Sequence, residues 1–396
     1  MCAFTYVTSE LLPVGALETI ARDLGRSQTL VGLLLSAYAV TVALTAIPVT
    51  RLTRGWDRRT VVVVTMLVLG LGNGFAAVAP GFATVVIARV AIAVAHGLFW
   101  SSIGSVAARL VPPGRAGAAT AAVFSGNALA LVAGVPATNA VATAFGWRTG
   151  TVVIAFAGLA AAAAALRWLP AMAAPEPRSP TAASARADNG RAVMVISAAT
   201  LAMVTAYFAV YTYITPILTQ IGLQSRQPVV LVALGVAGLL GIIATSRAVD
   251  AHPWITPFGQ SVLVMLAFAT AVSMAGTAQV TVGWLLLTSV GYAGLAVSWQ
   301  AGILRVAPRS PDRASAAYVV AFQIGITSGP ALGGAFRGTF GMDWLFLAAA
   351  VLAALSAAAY PVVSMIMVRH AHGSSSRPCD HDAGTPPAVP APPTGH

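Results

Sequence analysis

Long apolar runs, each near the length of a bilayer crossing and free of charge through most of their span, follow one another along the chain. They limit the fold more than any other feature. About 20 such residues cross a hydrocarbon core, where backbone N–H and C=O groups find no water and must bond within the segment as a helix. Barrel strands are excluded, because those alternate in polarity over about 10 residues and these runs do not alternate. Arg, Pro, Gly and Asp punctuate the chain into twelve runs, at 2–17, 30–50, 60–79, 83–110, 118–143, 149–169, 192–217, 227–246, 255–276, 279–303, 314–336 and 344–368. The expected fold is therefore an all-α membrane protein of twelve transmembrane helices.

Charge supports that reading. Only 8% of residues are charged, against about 25% in soluble domains, and the mean hydropathy is +0.82. A net charge of +11 would suit nucleic acid if the basic residues clustered on one solvated face. Instead all 22 are arginines that separate apolar runs, so no nucleic-acid partner is expected. Sixteen fall in loops on one side, five on the other, and Arg89 inside a run. The positive-inside rule places the first side, with both termini, in the cytoplasm of a cell membrane. The N-terminus lacks a charged leader and a small-residue cleavage site, and Met1 stands almost at the start of the first run. That run is either anchored short or begins upstream.

Residues 170–191, rich in Pro, Ala and Ser, read as a linker between an N-terminal six-helix half (1–169) and a C-terminal six-helix half (192–368). The halves echo each other. ARLVPPGRAGAATAAVF, followed by Gly134–Pro136 and Phe145–Trp147, recurs as LRVAPRSPDRASAAYVVAF, followed by Gly329–Pro330 and Phe340–Trp344. Repeats of six around a central loop suggest a secondary transporter. The tail 369–396 holds irregularly spaced His, Asp and Cys379 among Pro, Gly and Ser and reads as disordered, with no metal site. Cys2 and Cys379 suggest no disulfide framework.

One acidic residue fits no loop, helix end or tail. Glu10 lies in TYVTSELLPVGALETIAR, about midway through the first crossing. An ionised carboxylate there costs several kcal/mol. Such a group suits the uptake of a proton in one conformation and its release in another, or passive hydrogen bonding to a substrate. Arg89, His96 and Trp100, at i, i+7 and i+11, share one face of the fourth run, with His96 near the depth of Glu10.

The chain resembles the major facilitator superfamily over nearly its whole length, and within it the bacterial sugar efflux and drug:proton antiporter group. The residues carrying the resemblance are TSELLPVG (Thr8–Gly15), RVAIAVAHGLFW (Arg89–Trp100), GNALALVAGVP (Gly126–Pro136) with FGWR (Phe145–Arg148), and YTYITPIL (Tyr211–Leu218). GITSGPALGG (Gly325–Gly334) looks like the antiporter glycine-proline motif, displaced from the fifth span to the eleventh. The loop after the second span departs from the usual pattern: TRLTRGWDRR has Thr50 at the first Gly, Arg54 at the Asp and Asp57 at the second Gly, while Arg58 and Arg59 remain. A differently wired charge network is expected there, with Asp57 replacing the missing partner.

The resemblance implies a two-half fold whose spans one, four, seven and ten line a central cavity. Proton coupling would rest on Glu10 and His96. Substrate would meet Thr8, Glu10, His96, Trp100, Asn127, Tyr207, Tyr211, Tyr213, Tyr292, Trp299, Gln300 and Gln323. Gating would involve Arg89, Arg58, Arg59, Asp57, Gly134, Pro136, Gly325, Gly329 and Pro330. Aromatic planes stack on sugars or on flat drugs, and amides bond hydroxyls. The leading expectation is proton-coupled efflux of a sugar or small polar metabolite by a monomer, with the proton gradient as energy source and no cofactor. The alternative is a multidrug or phenicol-type antibiotic:proton antiporter. An enzyme is disfavoured, because no Ser/His/Asp set, HExxH or nucleotide-binding loop occurs.

Overall fold

A computed structural model describes residues 1–112, 114–173, 188–274 and 278–375 of the chain, and every regular element among them is helical. The first half comprises α1 (Cys2–Gly15), α2 (Leu17–Asp23), α3 (Gln28–Leu52), α4 (Arg58–Ala77), α5 (Phe82–Arg109), α6 (Ala116–Leu129), α7 (Val135–Phe145) and α8 (Trp147–Trp168). The second comprises α9 (Gly190–Tyr211), α10 (Ile214–Gln220), α11 (Gln227–Ala248), α12 (Ile255–Met274), α13 (Ala278–Val306), α14 (Pro311–Phe340) and α15 (Met342–Ser375). The pairs α1–α2, α6–α7 and α9–α10 are single crossings interrupted part-way, so each half has six. Eleven segments are individually long and apolar enough to cross a membrane. The first crossing is absent from that set because its two pieces are separate short helices.

Each interruption has a local cause. Pro13 sits inside α1 and has no N–H for the carbonyl of Ser9, and the helix breaks two residues after it, before α2 starts. In the fifth crossing a π-helical turn, Ala130–Gly134, precedes Val135 and Pro136 at the start of α7. The eleventh crossing differs, since α14 runs unbroken through Pro330. Other features repeat faithfully between halves. Gly146 between α7 and α8 (φ 84°) and Gly341 between α14 and α15 (φ 95°) both take a left-handed conformation that permits a one-residue reversal.

The expected linker lies outside the described residues at 174–187, as does the tail at 376–396. At the near edge of that tail, α15 extends to Ser375, past the expected limit of 368. The end of the bundle where the first half joins the linker, and where Met1 lies, is called the linker end below. The halves meet along α3 and α5 against α14, and along α6 against α11 and α13. Because α14 also packs on α9 of its own half, it is wedged between the two.

Candidate functional site

The first crossing carries Glu10 eight residues beyond the start of α1, roughly 12 Å along the axis at about 1.5 Å per residue. Glu10 is 9% exposed. Near its carboxyl lie the guanidinium of Arg89 on α5 and, from the other half, the side chain of Gln323 on α14. Gln323 is buried, and its Oε1 has no hydrogen-bond partner.

Arg89 is held by backbone. Its Nη1 donates to the carbonyl of Ser9 at 2.6 Å and its Nη2 to that of Glu10 at 2.7 Å. Ser9 is the residue whose carbonyl Pro13 leaves without its helical donor, so α5 supplies the hydrogen bond that the proline removes. The guanidinium also lies 4.5 Å over the ring of Tyr38. The Ser9 side chain accepts from Asn73 Nδ2 on α4 at 2.9 Å. The turn bearing Glu10 is thus fixed from α3, α4 and α5.

His96 is enclosed. Its Nδ1 lies 2.9 Å from the Tyr38 hydroxyl, and the rings of Tyr6 and Tyr38 meet it edge-on at 5.3 Å. Trp100 follows at 6.1 Å and continues to Phe124 at 5.3 Å. The structure therefore joins Glu10, Arg89, His96 and Trp100 in one neighbourhood, with His96 and Trp100 in an aromatic layer on the first-half side. Thr8 is buried against Gly134, where an added Cβ would lie 2.2 Å from the threonine hydroxyl. Asn127 lies half-buried on α6, one turn before the π segment.

The second half presents a tyrosine stack. Tyr207 and Tyr292 lie parallel with centroids 3.8 Å apart, and Tyr211 stacks on Tyr207 at 5.4 Å. Phe322, beside Gln323 in sequence, links this stack to α14 through Tyr292 at 6.5 Å. The cavity lined by Tyr207, Tyr211, Thr288 and Ser289 measures only about 10 Å³, room for one water at most. Three expected cavity residues lie elsewhere. Tyr213 donates to the carbonyl of Pro330 at 3.0 Å and carries Arg337 over its ring. Trp299 is sunk in the core with an unpartnered indole N–H. Gln300 donates to Ser315 at 2.9 Å, near the linker end.

That end is shut by two polar locks. Arg58 pairs with Asp312 of the opposite half at 2.6 Å, both side chains 6% exposed or less, and Ser105 donates to Asp312 at 2.5 Å. Asp57 does not replace the missing partner. Its carboxylate instead caps α4, accepting from the N–H groups of Arg59 and Thr60, and Arg59 reaches the carbonyl of Leu166. In the second lock, Asp250 accepts from the N–H groups of Gly117 and Ala118 at 2.9 and 3.1 Å and pairs with Arg305 at 2.8 Å.

Comparison with known proteins places this architecture. A sequence profile described as the Major Facilitator Superfamily matches residues 1–275. The chain belongs to that superfamily. Two chloramphenicol efflux pumps of Mycobacterium tuberculosis, from strains CDC 1551 / Oshkosh and ATCC 25618 / H37Rv, are each 38% identical to it over 346 residues, covering 84% of this chain and 83% of theirs. Among solved structures, the Escherichia coli fucose:proton symporter FucP superposes with a TM-score of 0.72 at 14% identity, covering 91% of this chain and 97% of its own. The human organic anion transporter MFSD10 gives 0.73 at 15%, covering 91% and 98%.

In this Major Facilitator Superfamily transporter, the glycine-proline motif of α14 serves contact within one half. A Cβ at Gly329 would lie 2.7 Å from that of Phe208, and one at Gly325 2.7 Å from that of Val204. Both glycines let α14 lie close on α9. Sequence reading passed over Tyr6, Tyr38 and Asn73, which look like ordinary residues of apolar runs. It also passed over Asp312, whose place at a helix start made it resemble a solvated cap.

Proposed function

We propose that this transporter exports a phenicol-type or similar amphipathic drug in exchange for protons, with the linker end facing the cytoplasm. The observation that carries the mechanism is a buried mid-bundle carboxyl, Glu10, on a turn held by the buried Arg89. A proton gained or lost at Glu10 changes the charge at the seam along which the halves move. Arg89 keeps the turn in place while this happens, since its bonds run to backbone carbonyls that do not titrate. The tyrosine stack of the second half and the Trp100–Phe124 pair of the first offer flat apolar faces on which an aromatic ring would gain from stacking.

The drug reading is preferred to sugar efflux because two relatives at 38% identity are named chloramphenicol efflux pumps. The test uses purified protein in liposomes, with chloramphenicol and arabinose flux followed under an imposed pH gradient. Gradient-driven chloramphenicol movement is expected in the parent, and a loss of at least tenfold is expected in Glu10→Gln with downhill exchange retained. Arabinose flux without chloramphenicol flux would reverse the substrate assignment. Undiminished uphill transport by Glu10→Gln would remove Glu10 from the coupling step.

A further inference from the structure

The short second pieces of the first and seventh crossings, α2 and α10, are each seven residues long, yet their far ends are held differently. α2 ends on Asp23, whose carboxylate accepts from the indole N–H of Trp147 at 3.0 Å and pairs with Arg148 at 3.0 Å. These are the first two residues of α8. Arg148 also donates to the carbonyls of Ala77 and Ala79 at the end of α4. One acid thus helps to gather α2, α4 and α8. In the second half, α10 ends on the uncharged Gln220, and α15 begins at Met342 across a cavity of about 360 Å³.

The described residues on the cavity wall are Gln220, Arg337, Gly341 and Met342, and no acid is among them. Arg337 is placed by Tyr213, over whose ring it lies at 5.5 Å and whose hydroxyl is tied to the carbonyl of Pro330 at 3.0 Å. It belongs to none of the ion pairs among the described residues. The first N–H groups of α15 have no helical acceptor and add the positive end of a helix dipole. Asp343, the next residue, is exposed and does not line the cavity. A cation, an amide and a helix start therefore surround a space where the first half holds a carboxylate.

We propose that this cavity binds the phosphate of an anionic phospholipid headgroup, which takes the place that Asp23 holds in the first half and ties α10 to α15. A guanidinium fork matches two phosphate oxygens, and the amide of Gln220 can donate to another. A choline or ethanolamine headgroup would instead bring a cation beside Arg337. The lipid source follows from depth. Arg337 ends one membrane span and Met342 begins the next, which puts the cavity at the level of headgroups. Beside it Phe336, Phe340 and Trp344 form a ladder with 6.0 Å between successive ring centroids. Phe340 and Trp344 are 59% and 53% exposed, as interfacial aromatic residues are, and acyl chains would run along them.

The test is thermal melting of purified full-length protein in detergent, for the parent, Arg337→Gln and Gln220→Glu. Phosphatidylglycerol, phosphatidylcholine or inorganic phosphate is added to each. In the parent, phosphatidylglycerol should raise the midpoint by about 3 °C and the other two by less than about 1 °C. Arg337→Gln should lose the response to phosphatidylglycerol. Gln220→Glu supplies the missing acid from the protein itself, so it should respond to phosphatidylglycerol no more than to phosphatidylcholine; this variant also decides the matter should Arg337→Gln not fold. A parent-like response in either variant overturns the site. Equal responses of the parent to the two lipids overturn the anionic headgroup, and an Arg337-dependent shift with inorganic phosphate that phosphatidylglycerol does not exceed overturns the lipid source.

Discussion

The two locks at the linker end occupy corresponding loops of the two halves, yet they work by opposite chemistry. The first-half loop supplies a cation, Arg58, to an acid on α14 of the second half. The second-half loop supplies an acid, Asp250, to the bare backbone amides at the start of α6 in the first half. A carboxylate at a helix N-terminus satisfies orphan N–H groups and meets the positive end of the helix dipole. The first loop has lost that option, because Arg54 stands where an Asp is usual and Asp57 is spent on its own helix. Its seam is closed by a buried ion pair instead. An internal repeat can therefore keep its geometry while a substitution reverses the sign of the charge that holds it.

Breaking the first lock should have the larger effect. Asp312→Ala leaves Arg58 buried without an anion, which costs about 3–5 kcal/mol. The expected results are a clear drop in melting temperature in detergent and faster labelling of a cysteine placed at the linker end. Removing both partners in Arg58→Leu with Asp312→Leu should recover most of the melting temperature, since no charge then stays buried unpaired. A double variant as unstable as Asp312→Ala would show that the pair is attractive in its own right.

Asp250→Asn should cost less, about 1 kcal/mol. One amide oxygen can still cap α6, and the Arg305–Asp250 pair is about a fifth to a quarter exposed and hence screened. Its effect should shrink as salt rises, whereas that of Asp312→Ala should not; equal salt dependence would erase the distinction between the locks. The smallest effect belongs to the far end of the first crossing. Glu18 and Arg22 form an i,i+4 pair with both side chains 71% exposed, so Arg22→Ala should change melting by no more than the measurement error.

Much of the fold was legible in the chain, and the reason is solvent. In hydrocarbon the length of an apolar run and the backbone's need for internal partners leave only a helix, so the crossings appear nearly at their expected bounds. Glu10 was legible for the same reason, as the one carboxylate without a cheap location. The FG pairs at Phe145–Gly146 and Phe340–Gly341 announced their turns because only glycine takes that conformation readily. Partnership was not legible. Asp312 and Asp57 both stand at helix starts, and spacing could not tell the acid that caps its own helix from the one that crosses the seam. Tyr213 shares a crossing with Tyr207, and Trp299 and Gln300 share α13 with Tyr292, yet a few residues along the axis move them out of the aromatic stack.

By itself, then, the sequence determined twelve helical crossings in two related sets, a dominant Arg-rich side and a carboxyl at mid-depth, since each follows from transfer between water and lipid. Only the tertiary structure decided that Arg58 finds Asp312, that Arg89 completes the carbonyl freed by Pro13, and that Gln323 meets Glu10. These contacts join residues from 80 to 313 positions apart in the numbering. Local periodicity records which face of a helix is apolar, but which helix lies against that face is set by packing of the whole bundle.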